Sequence, residues 1–452
     1  MSHQGFIPPY LLEAASSRER LRSGHDACAR TLALDAVLRG QRLAGSTLTA
    51  GTGTADTGTA DAGSWTVSTA DNTTSLPGTP VRTQADPPSG DTAVDQAWEA
   101  VKASLAGLAD HLGRDSFDNA GAPVLATVHY SRDYANAFWN GTYLVFGDGD
   151  GTVFGPMTAP IDVGAHELGH AVTEHVANLT YQGQSGALNE SMSDVFGACV
   201  KQDHLGQSAD QADWLIGEGI FVPGINGVAL RSMIAPGTAY DDPRLGQDPQ
   251  PDHMSGYVVT SDDNGGVHYN SGIPNRAFAL AATSIGAQSW TTATIWFAAL
   301  ETVEPDCTFA TFARATLAVA GAHAAAVEDA WATVGVLDAA ASRSEAGTAP
   351  KTRAVTVRRS GGLLGQVASG ALDLDSGDPR VPQVQALLGG IDTVIHAVAA
   401  AASRPVPDGY RYTFDLGGDR SVTVAEDDMV GPLREIARLV LPEHGRPPAL
   451  DA

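Results

Sequence analysis

The 452-residue chain has few cysteines and few basic residues, and no long apolar run. Its three cysteines (Cys28, Cys199 and Cys307) lie far apart, which argues against a disulfide framework or a thiolate metal site and favours small buried residues. With 27 basic against 52 acidic residues the net charge is -25, so nucleic acid and anionic membranes are not expected partners. The absence of a long apolar run excludes a membrane-spanning helix.

The N-terminus lacks the basic region and the unbroken apolar region of a secretory signal. We therefore expect the protein to be cytoplasmic or to be exported by a route other than the Sec type. The length allows two or three domains, and a hydrophobic fraction of 43% allows sizeable cores.

Composition divides the chain into five segments. Residues 1–43 are rich in Leu, Ala and Arg, whereas residues 44–71 are dominated by Gly, Thr, Ala, Ser and Asp and repeat GTAD. Such a composition cannot bury enough apolar surface to fold, so it predicts a linker. Residues 72–340 contain the recognisable chemical motifs, residues 341–353 are predicted as a second linker, and residues 354–452 as a compact C-terminal domain.

The order of predicted elements indicates an α+β fold. Residues 127–130 and 143–146 are typical of strands. Helices are predicted at about 162–177 and 186–200, followed by an Ala-rich helical region at about 275–336. Strands first and helices later favour α+β architecture, with the two most informative helices in the middle.

The first of these helices contains the sequence His166-Glu167-Leu168-Gly169-His170. Residues four apart lie on one helix face, so His166 and His170 can bind one metal ion. Glu167 between them can act as a general base toward water held at the metal. A catalytic zinc takes three protein ligands and keeps one open position, and Glu190 is the natural third ligand. The motifs together predict a zinc peptidase site.

The second helix supplies support for this site. Glu190 and Asp194 are also four residues apart, so Asp194 can accept the other ring N–H of a ligand histidine. The alternative is two amphipathic helices with exposed carboxylates, and the presence of both motifs favours the zinc site over it. The metzincin pattern is excluded, because Thr173 and Val176 stand where it requires glycine and a third histidine.

Residues of about 72–336 resemble the thermolysin family of metallopeptidases through several motifs in order. These are residues 136–141, 181–182, 185–190, 230–233 and 263–272. The resemblance implies a two-lobed fold with a β-rich N-terminal lobe, a helical C-terminal lobe and the zinc helices in the cleft between them.

The resemblance also implies roles for individual residues. Glu167 would take a proton from water and deliver it to the leaving amine, while zinc polarises the scissile carbonyl. Tyr181 and His268 would donate to the developing oxyanion, with Asp263 orienting His268. Arg231 would hold a substrate carbonyl. The remaining implied positions are Asn136 and Ala137, on an edge strand that would pair with a peptide, and Asn189, which would support a ligand beside Asp194.

The family's preference for a bulky apolar residue after the cleaved bond depends on an apolar pocket. The matching positions are all apolar: Phe154, Met157, Val163, Ile216, Ile220 and Leu230. Each could equally be an ordinary core residue. The resemblance implies that peptides and proteins are the substrates.

The family's double calcium site is matched only in part. Asp162, Asp213 and Glu218 retain acidic positions, but Lys201 and Leu215 replace two others. A lysine ammonium could take the place of one ion. We therefore do not expect the double site and leave a single calcium ion open.

The N-terminal residues 6–12 resemble the short propeptide of the protealysin-like branch through Pro8, Pro9 and Leu11. Many relatives carry a cysteine where this chain has Gly5. The resemblance implies that the Pro-Pro segment occupies the cleft and inhibits the enzyme. The alternative is a disordered tail.

The C-terminal segment resembles emfourin, a small inhibitor of protealysin-like peptidases. Residues 355–362 and 410–416 are typical of strands, and residues 433–440 have helical spacing. The resemblance implies that enzyme and inhibitor share one chain, unless the segment serves stability or substrate docking. For the whole chain, the alternative to an active precursor is a silenced binding or inhibitor-carrying protein. The complete catalytic set favours the enzyme.

Overall fold

The computed structural model describes residues 4–19, 27–43 and 64–337, and in the C-terminal part residues 354–361, 368–374, 376–389, 391, 410–416, 421–426, 429 and 431–441. The chain forms two compact units, residues 1–343 and residues 344–452. The predicted linker at 341–353 and most of the one at 44–71 lie outside the described residues.

The first unit is built on a six-stranded mixed sheet in the order β1-β5-β6-β4-β2-β3. Its strands are β1 (Gln4–Gly5), β2 (Trp65–Thr69), β3 (Thr79–Thr83), β4 (Val124–Val128), β5 (Ala137–Trp139) and β6 (Tyr143–Phe146). The neighbours β2 and β4, and β4 and β6, are parallel, whereas β1 pairs antiparallel with β5. The edge strand β5 is therefore covered by a short strand from the N-terminus.

From residue 161 onward the first unit is mainly helical, as the sequence predicted for an α+β fold, and the α+β class is confirmed. In order, the helices of this unit are α1 (Pro9–Glu19), α2 (Ala27–Leu43), α3 (Thr92–Leu112), α4 (Ile161–Val176), α5 (Gly183–Leu205), α6 (Asp263–Asn270), α7 (Gly272–Ile285), α8 (Ser289–Leu300), α9 (Phe309–Val319) and α10 (Ala324–Thr333). Short strand pairs join β7 (Leu215–Ile216) to β8 (Arg231–Ser232) and β9 (Asp241–Asp242) to β10 (Gly246–Gln247).

Local chemistry sets the ends of the long helices. Asp91 caps α3 by accepting hydrogen bonds from the backbone of Ala93 and Val94, and α3 stops where Gly113 turns left-handed. Helix α5 stops in the same way at Gly206. Helix α4 is buried continuously from Asp162 to Thr173, because it lies in the centre of the unit and not on its surface.

Two predicted boundaries differ from the structure. The sheet begins at Trp65, inside the segment 44–71 predicted as a linker, because Trp65 and Val67 are buried in spite of the polar composition around them. The strand predicted at 127–130 ends at Val128. His129 leaves it with a φ of 54°, and its ring lies between Asp148 and Asp91.

The second unit has a four-stranded antiparallel sheet in the order β12-β11-β13-β14. The strands are β11 (Ala354–Gly361), β12 (Ala368–Asp373), β13 (Tyr410–Asp415) and β14 (Ser421–Ala425), with helices α11 (Val381–Leu388) and α12 (Gly431–Val440). Leu433, Ile436, Ala437 and Val440 of α12 are buried in a core separate from that of the first unit. This unit therefore has its own hydrophobic core.

None of the helices in the described part of the chain combines the length and apolar character needed to cross a bilayer. The three cysteines, all of which lie in that part, are buried, and none forms a disulfide. Burial raises the pKa of the Cys199 thiol well above its usual value.

Candidate active site

Three buried side chains from α4 and α5 converge on one point. Among the described residues, His166, His170 and Glu190 form the one cluster of His, Cys and carboxylate groups able to hold a metal, with ligand atoms within 4.8 Å of one another. Glu190 lies 3.5 Å from Nε2 of each histidine. Both Nε2 atoms and Glu190 Oε2 are buried without a hydrogen-bond partner. Two imidazoles and a carboxylate directed at one space fit a catalytic zinc.

The opposite ring nitrogens of the two histidines are held by α5. His166 Nδ1 lies 2.8 Å from Asp194 Oδ1, and His170 Nδ1 lies 2.8 Å from Asn189 Oδ1. These contacts fix which nitrogen of each ring faces the metal position. The sequence predicted both partners. It missed Ser193, whose hydroxyl lies 3.0 Å from His170 Nδ1.

The electrostatics of the cluster favour a neutral imidazole at His170. Burial lowers the pKa of His170 to about 3, outweighing the attraction of Glu190. Burial opposes ionisation of Asp194, but the Arg231 guanidinium and His166 outweigh it and hold the pKa of that carboxyl well below its usual range. A neutral histidine can donate its lone pair to a metal, whereas a protonated one cannot.

His268 approaches the same point from α6. A run of left-handed residues, Asn264, Gly265 and Gly266, precedes it. Gly265 has a φ of 81° and a Cβ there would lie 3.0 Å from the backbone nitrogen of Gly183, the first residue of α5, so this turn favours glycine. Asp263 holds His268 twice, through the ring Nδ1 at 2.6 Å and through the backbone N–H at 2.8 Å.

His268 is placed as a hydrogen-bond donor. Burial alone would lower its pKa, but the carboxylates of Asp263 and Glu190 outweigh burial and raise the pKa of His268 to about 9. Its Nε2 lies 3.5 Å from the Tyr181 hydroxyl. That hydroxyl donates a short hydrogen bond to Glu190, so Tyr181 contacts a ligand as well as the space in front of His268.

A peptide segment lies in front of these groups. Strand β1 pairs with β5, with Gln4 opposite Trp139 and Gly5 opposite Phe138. The backbone N–H of Phe6 donates to Ala137 O at 3.0 Å, and that of Ile7 donates to Asn136 Oδ1 at 2.8 Å. The Asn136 side chain and the Ala137 backbone carbonyl therefore bind the extended N-terminal segment, at the edge where the sequence predicted a peptide-pairing strand.

Two family models together match most of this architecture. Residues 44–174 match the thermolysin metallopeptidase catalytic domain, and residues 177–336 match the thermolysin metallopeptidase alpha-helical domain. The chain belongs to the thermolysin family of metallopeptidases. The predicted fold of this family and the predicted metalloprotease activity are thereby confirmed.

Individual relatives agree with the family assignment. An extracellular metalloprotease of Pectobacterium carotovorum is 52% identical over 59% of this chain and 79% of its own length. Protease PrtS of Photorhabdus is 41% identical over 70% of this chain and 86% of its own. The precursor of protealysin, a metalloproteinase from Serratia proteamaculans, has a structure that matches 74% of this chain and all of its own with a TM-score of 0.65 and 45% identity.

The apolar positions implied by the family resemblance are all buried. Phe154, Val163, Ile216 and Ile220 are fully buried, as is Met157, and Leu230 is 1% exposed. Leu230 lies beside Gly217, at the place where the ring of Phe6 also approaches. Burial alone would suit a core residue as well as a pocket residue.

The acidic residues implied as calcium ligands surround Lys201. Its ammonium donates to Asp213 at 3.1 Å, to Glu218 at 3.1 Å and to the Leu215 carbonyl at 3.2 Å. Asp162, completely buried, accepts from the Gly217 backbone. Burial raises the pKa of Asp162 to about 6, against the opposing charge of Lys201. The Lys201 ammonium thus lies among the acidic residues, where the sequence suggested that a lysine takes the place of one calcium ion.

Replacing Lys201 with glutamate is expected to make stability depend on calcium. With zinc removed from both proteins beforehand, the wild-type chain should unfold at the same temperature with calcium or with a calcium chelator, because the ammonium already balances the carboxylates. K201E brings a fourth carboxylate to the site, as hard cations require. It should unfold several degrees lower in chelator and recover with calcium, corresponding to about 1–2 kcal/mol.

Differential scanning calorimetry checks this prediction. Lys102→Glu on the exposed face of α3 is the matched control, since it makes the same charge change away from the cluster. Calcium dependence of the wild-type unfolding temperature would contradict the assignment of Lys201 as the resident cation.

Sequence reasoning also missed a buried polar network around Asp194. Arg231 binds Asp194 with two hydrogen bonds, from Nε at 2.9 Å and Nη2 at 2.8 Å. The Asn275 side chain donates to the same carboxylate at 2.8 Å. The sequence predicted Arg231 only as a substrate contact, because nothing in its local pattern shows that it pairs with α5.

Proposed function

We propose that this metalloprotease is a zinc endopeptidase that cuts peptides on the N-terminal side of bulky apolar residues. We further propose that it is made as a precursor whose N-terminal segment blocks the cleft and whose C-terminal unit restrains activity. The observation that carries the proposal is the convergence of the buried His166, His170 and Glu190 beside Glu167 and His268. The alternative is a catalytically silenced protein that serves only in binding or as an inhibitor carrier.

His166, His170 and Glu190 would hold the zinc ion, which supplies a Lewis acid that activates water and polarises a carbonyl. The Glu167 carboxylate, buried between the two histidines along α4, accepts the proton from water. The same carboxylate then passes this proton to the leaving amine nitrogen. The burial of Glu167 keeps bulk water from competing for that proton.

Substrate position is set by hydrogen bonds from fixed groups. His268 Nε2 would donate to the carbonyl oxygen on which negative charge develops, because Asp263 holds its ring in place. Arg231 Nη1 would donate to the next carbonyl, as it does to Phe6 O at 3.3 Å. The Asn136 side-chain oxygen and the Ala137 backbone carbonyl would align the peptide backbone beside β5.

The specificity proposal rests on the Phe6 side chain. Phe6 is completely buried, and its ring lies at Gly217 and Leu230, two positions at or beside the implied pocket. A peptide library with one varied position after the cleaved bond tests it. Phe and Leu should be preferred over Asp and Gly, and a flat profile would contradict the proposed pocket.

The C-terminal unit is proposed as a tethered inhibitor. Its resemblance to emfourin and its separate core support a folded module that can act on the first unit. Tethering gives a high effective concentration, so even weak binding silences a site. The domain assignment, with a propeptide before the peptidase and a regulatory domain after it, is part of this proposal.

Ending the chain at Arg343 is expected to raise peptidase activity by about 100-fold, because the effective concentration of the inhibitor is lost. Both the full and the shortened chain carry Phe6→Asp, which removes the N-terminal segment from the apolar pocket. Rates are compared on casein after zinc loading. Adding residues 344–452 as a separate protein should restore inhibition at a concentration set by its own affinity.

The outcomes separate the hypotheses. Equal rates for the two chains would show that the C-terminal unit does not restrain activity. No activity in either chain, with zinc bound, would favour the silenced binding protein.

A further inference from the structure

The N-terminal segment runs through the cleft in a defined register, so that one of its peptide bonds faces the catalytic groups. The Gly5 carbonyl oxygen lies 3.0 Å from His268 Nε2. His268 is the group proposed above to donate to the carbonyl of the bond that is cut. The register therefore places the carbonyl of the Gly5–Phe6 bond at this donor.

The residues after this bond occupy the positions expected for the rest of a substrate. The Phe6 N–H donates to Ala137 O at 3.0 Å, and the Phe6 carbonyl accepts from Arg231 Nη1 at 3.3 Å. The Ile7 N–H donates to Asn136 Oδ1 at 2.8 Å. Four consecutive backbone groups, from Gly5 O to Ile7 N, thus each have a partner in the cleft.

The Phe6 side chain anchors this register. Its ring lies edge-on to His166 with a centroid separation of 5.1 Å, and the Arg231 guanidinium lies 4.7 Å from its centre. Phe6 and Ile7 are both buried. Burying such a ring strongly favours one register over its neighbours, because a slip by one residue would expose it.

Gly5 fits the position before the bond because it has no side chain. A Cβ at Gly5 would lie 2.6 Å from Asn136 Nδ2. That amide is held in place by Asp35 of α2, whose carboxylate accepts from it at 2.9 Å. A larger residue would therefore push the bond away from His268.

The rest of the segment holds the bond in place. Helix α1 begins at Pro9, and Leu11 and Leu12 are buried in the core of the unit. Helix α2 contacts the loop before β5, where the Ala135 N–H donates to Thr31 Oγ1 at 3.1 Å. A peptide bond fixed on the same chain as its catalyst reacts as an intramolecular substrate.

We propose that Gly5–Phe6 is a self-cleavage site, hydrolysed in cis by the site in which it lies. This inference rests on the proposed peptidase function. Water adds hydroxyl to the Gly5 carbonyl carbon, the bond from that carbon to Phe6 N breaks, and Phe6 N takes the proton. The products are the peptide Met1–Gly5 with a new carboxylate and a chain that starts at Phe6, its side chain still in the pocket.

Intact mass spectrometry of the full chain tests this. Protein purified free of metal is mixed with zinc, and its mass is followed over time at widely different protein concentrations. Wild-type chain should lose residues 1–5 with a half-time independent of concentration, and tandem spectra should show Phe6 as the new N-terminus. Glu167→Gln should stay intact.

Two further variants test the register. Phe6→Ala should slow this cleavage by about tenfold or more, because the anchoring ring is lost. Val37→Ala, a similar truncation at an exposed position of α2, should cleave at the wild-type rate.

Other outcomes overturn the inference in distinguishable ways. If the Phe6→Asp chain cuts a separate Gly-Phe peptide while the wild-type Gly5–Phe6 bond stays intact, the segment is a blocker that is not cut. Cleavage whose half-time shortens with concentration would show reaction between molecules and refute the cis assignment. If the Phe6→Asp chain cuts no peptide with zinc bound, the peptidase proposal fails, and this inference with it.

Discussion

Replacing Glu167 with glutamine is expected to slow peptide hydrolysis by at least about a thousandfold while leaving the metal bound. Glutamine matches the shape of the buried carboxylate but cannot accept a proton from water. His166, His170 and Glu190 are unchanged, so the metal position keeps its three ligands. Initial rates on a Phe-containing peptide, measured in a chain with the cleft cleared by Phe6→Asp, give the ratio.

The control and the contradicting result are both direct. Metal content, measured by atomic emission, should equal that of wild type. Glu99→Gln on the exposed side of α3 should keep full activity, since it makes the same chemical change away from the cluster. Full activity of the Glu167 variant would remove the general base from the mechanism.

The metal ligands could be predicted because their geometry is local. His166 and His170 are one helical turn apart, and Glu190 and Asp194 repeat this spacing on α5. Helix periodicity then places the two histidines on one face of α4 and the two carboxylates on one face of α5, and these two faces can meet. The structure adds that the faces do meet, with the His166 ring within 2.8 Å of Asp194.

Contacts between distant parts of the chain could not be predicted in the same way. The hydrogen bond between His268 Nε2 and the Gly5 carbonyl oxygen joins residues 263 positions apart, and no pattern near either residue predicts it. The sequence suggested that Pro8 and Pro9 would occupy the cleft. In the structure Gly5, Phe6 and Ile7 make the backbone contacts there, and Pro9 begins α1.

The boundary at Trp65 shows a limit of composition. The residues before it are Gly-, Thr- and Ala-rich, and three of the five residues of the strand, WTVST, are polar. This stretch pairs in parallel with β4 on one side and antiparallel with β3 on the other. Because β4 lies nearly sixty residues further along the chain, the composition around Trp65 does not indicate that β2 pairs with it.

Replacing Asp194 with alanine is expected to destabilise the first unit by about 3–5 kcal/mol, because it leaves a buried guanidinium without its partner. Arg231 is 2% exposed and donates two hydrogen bonds to this carboxylate. The same change removes the partner of His166 Nδ1. Zinc affinity should therefore fall by about 10–100-fold as well.

Urea unfolding of the metal-free protein, followed by tryptophan fluorescence, measures the stability change. All seven tryptophans lie between Trp65 and Trp331, so the signal reports the first unit. The double variant Asp194→Ala with Arg231→Met removes both charges and should recover most of the lost stability. Zinc affinity should not recover in the double variant, because His166 still lacks its partner. If stability fails to recover when Arg231 is also removed, the loss comes from the cavity and the Asn275 contact, and the buried ion pair is not its cause.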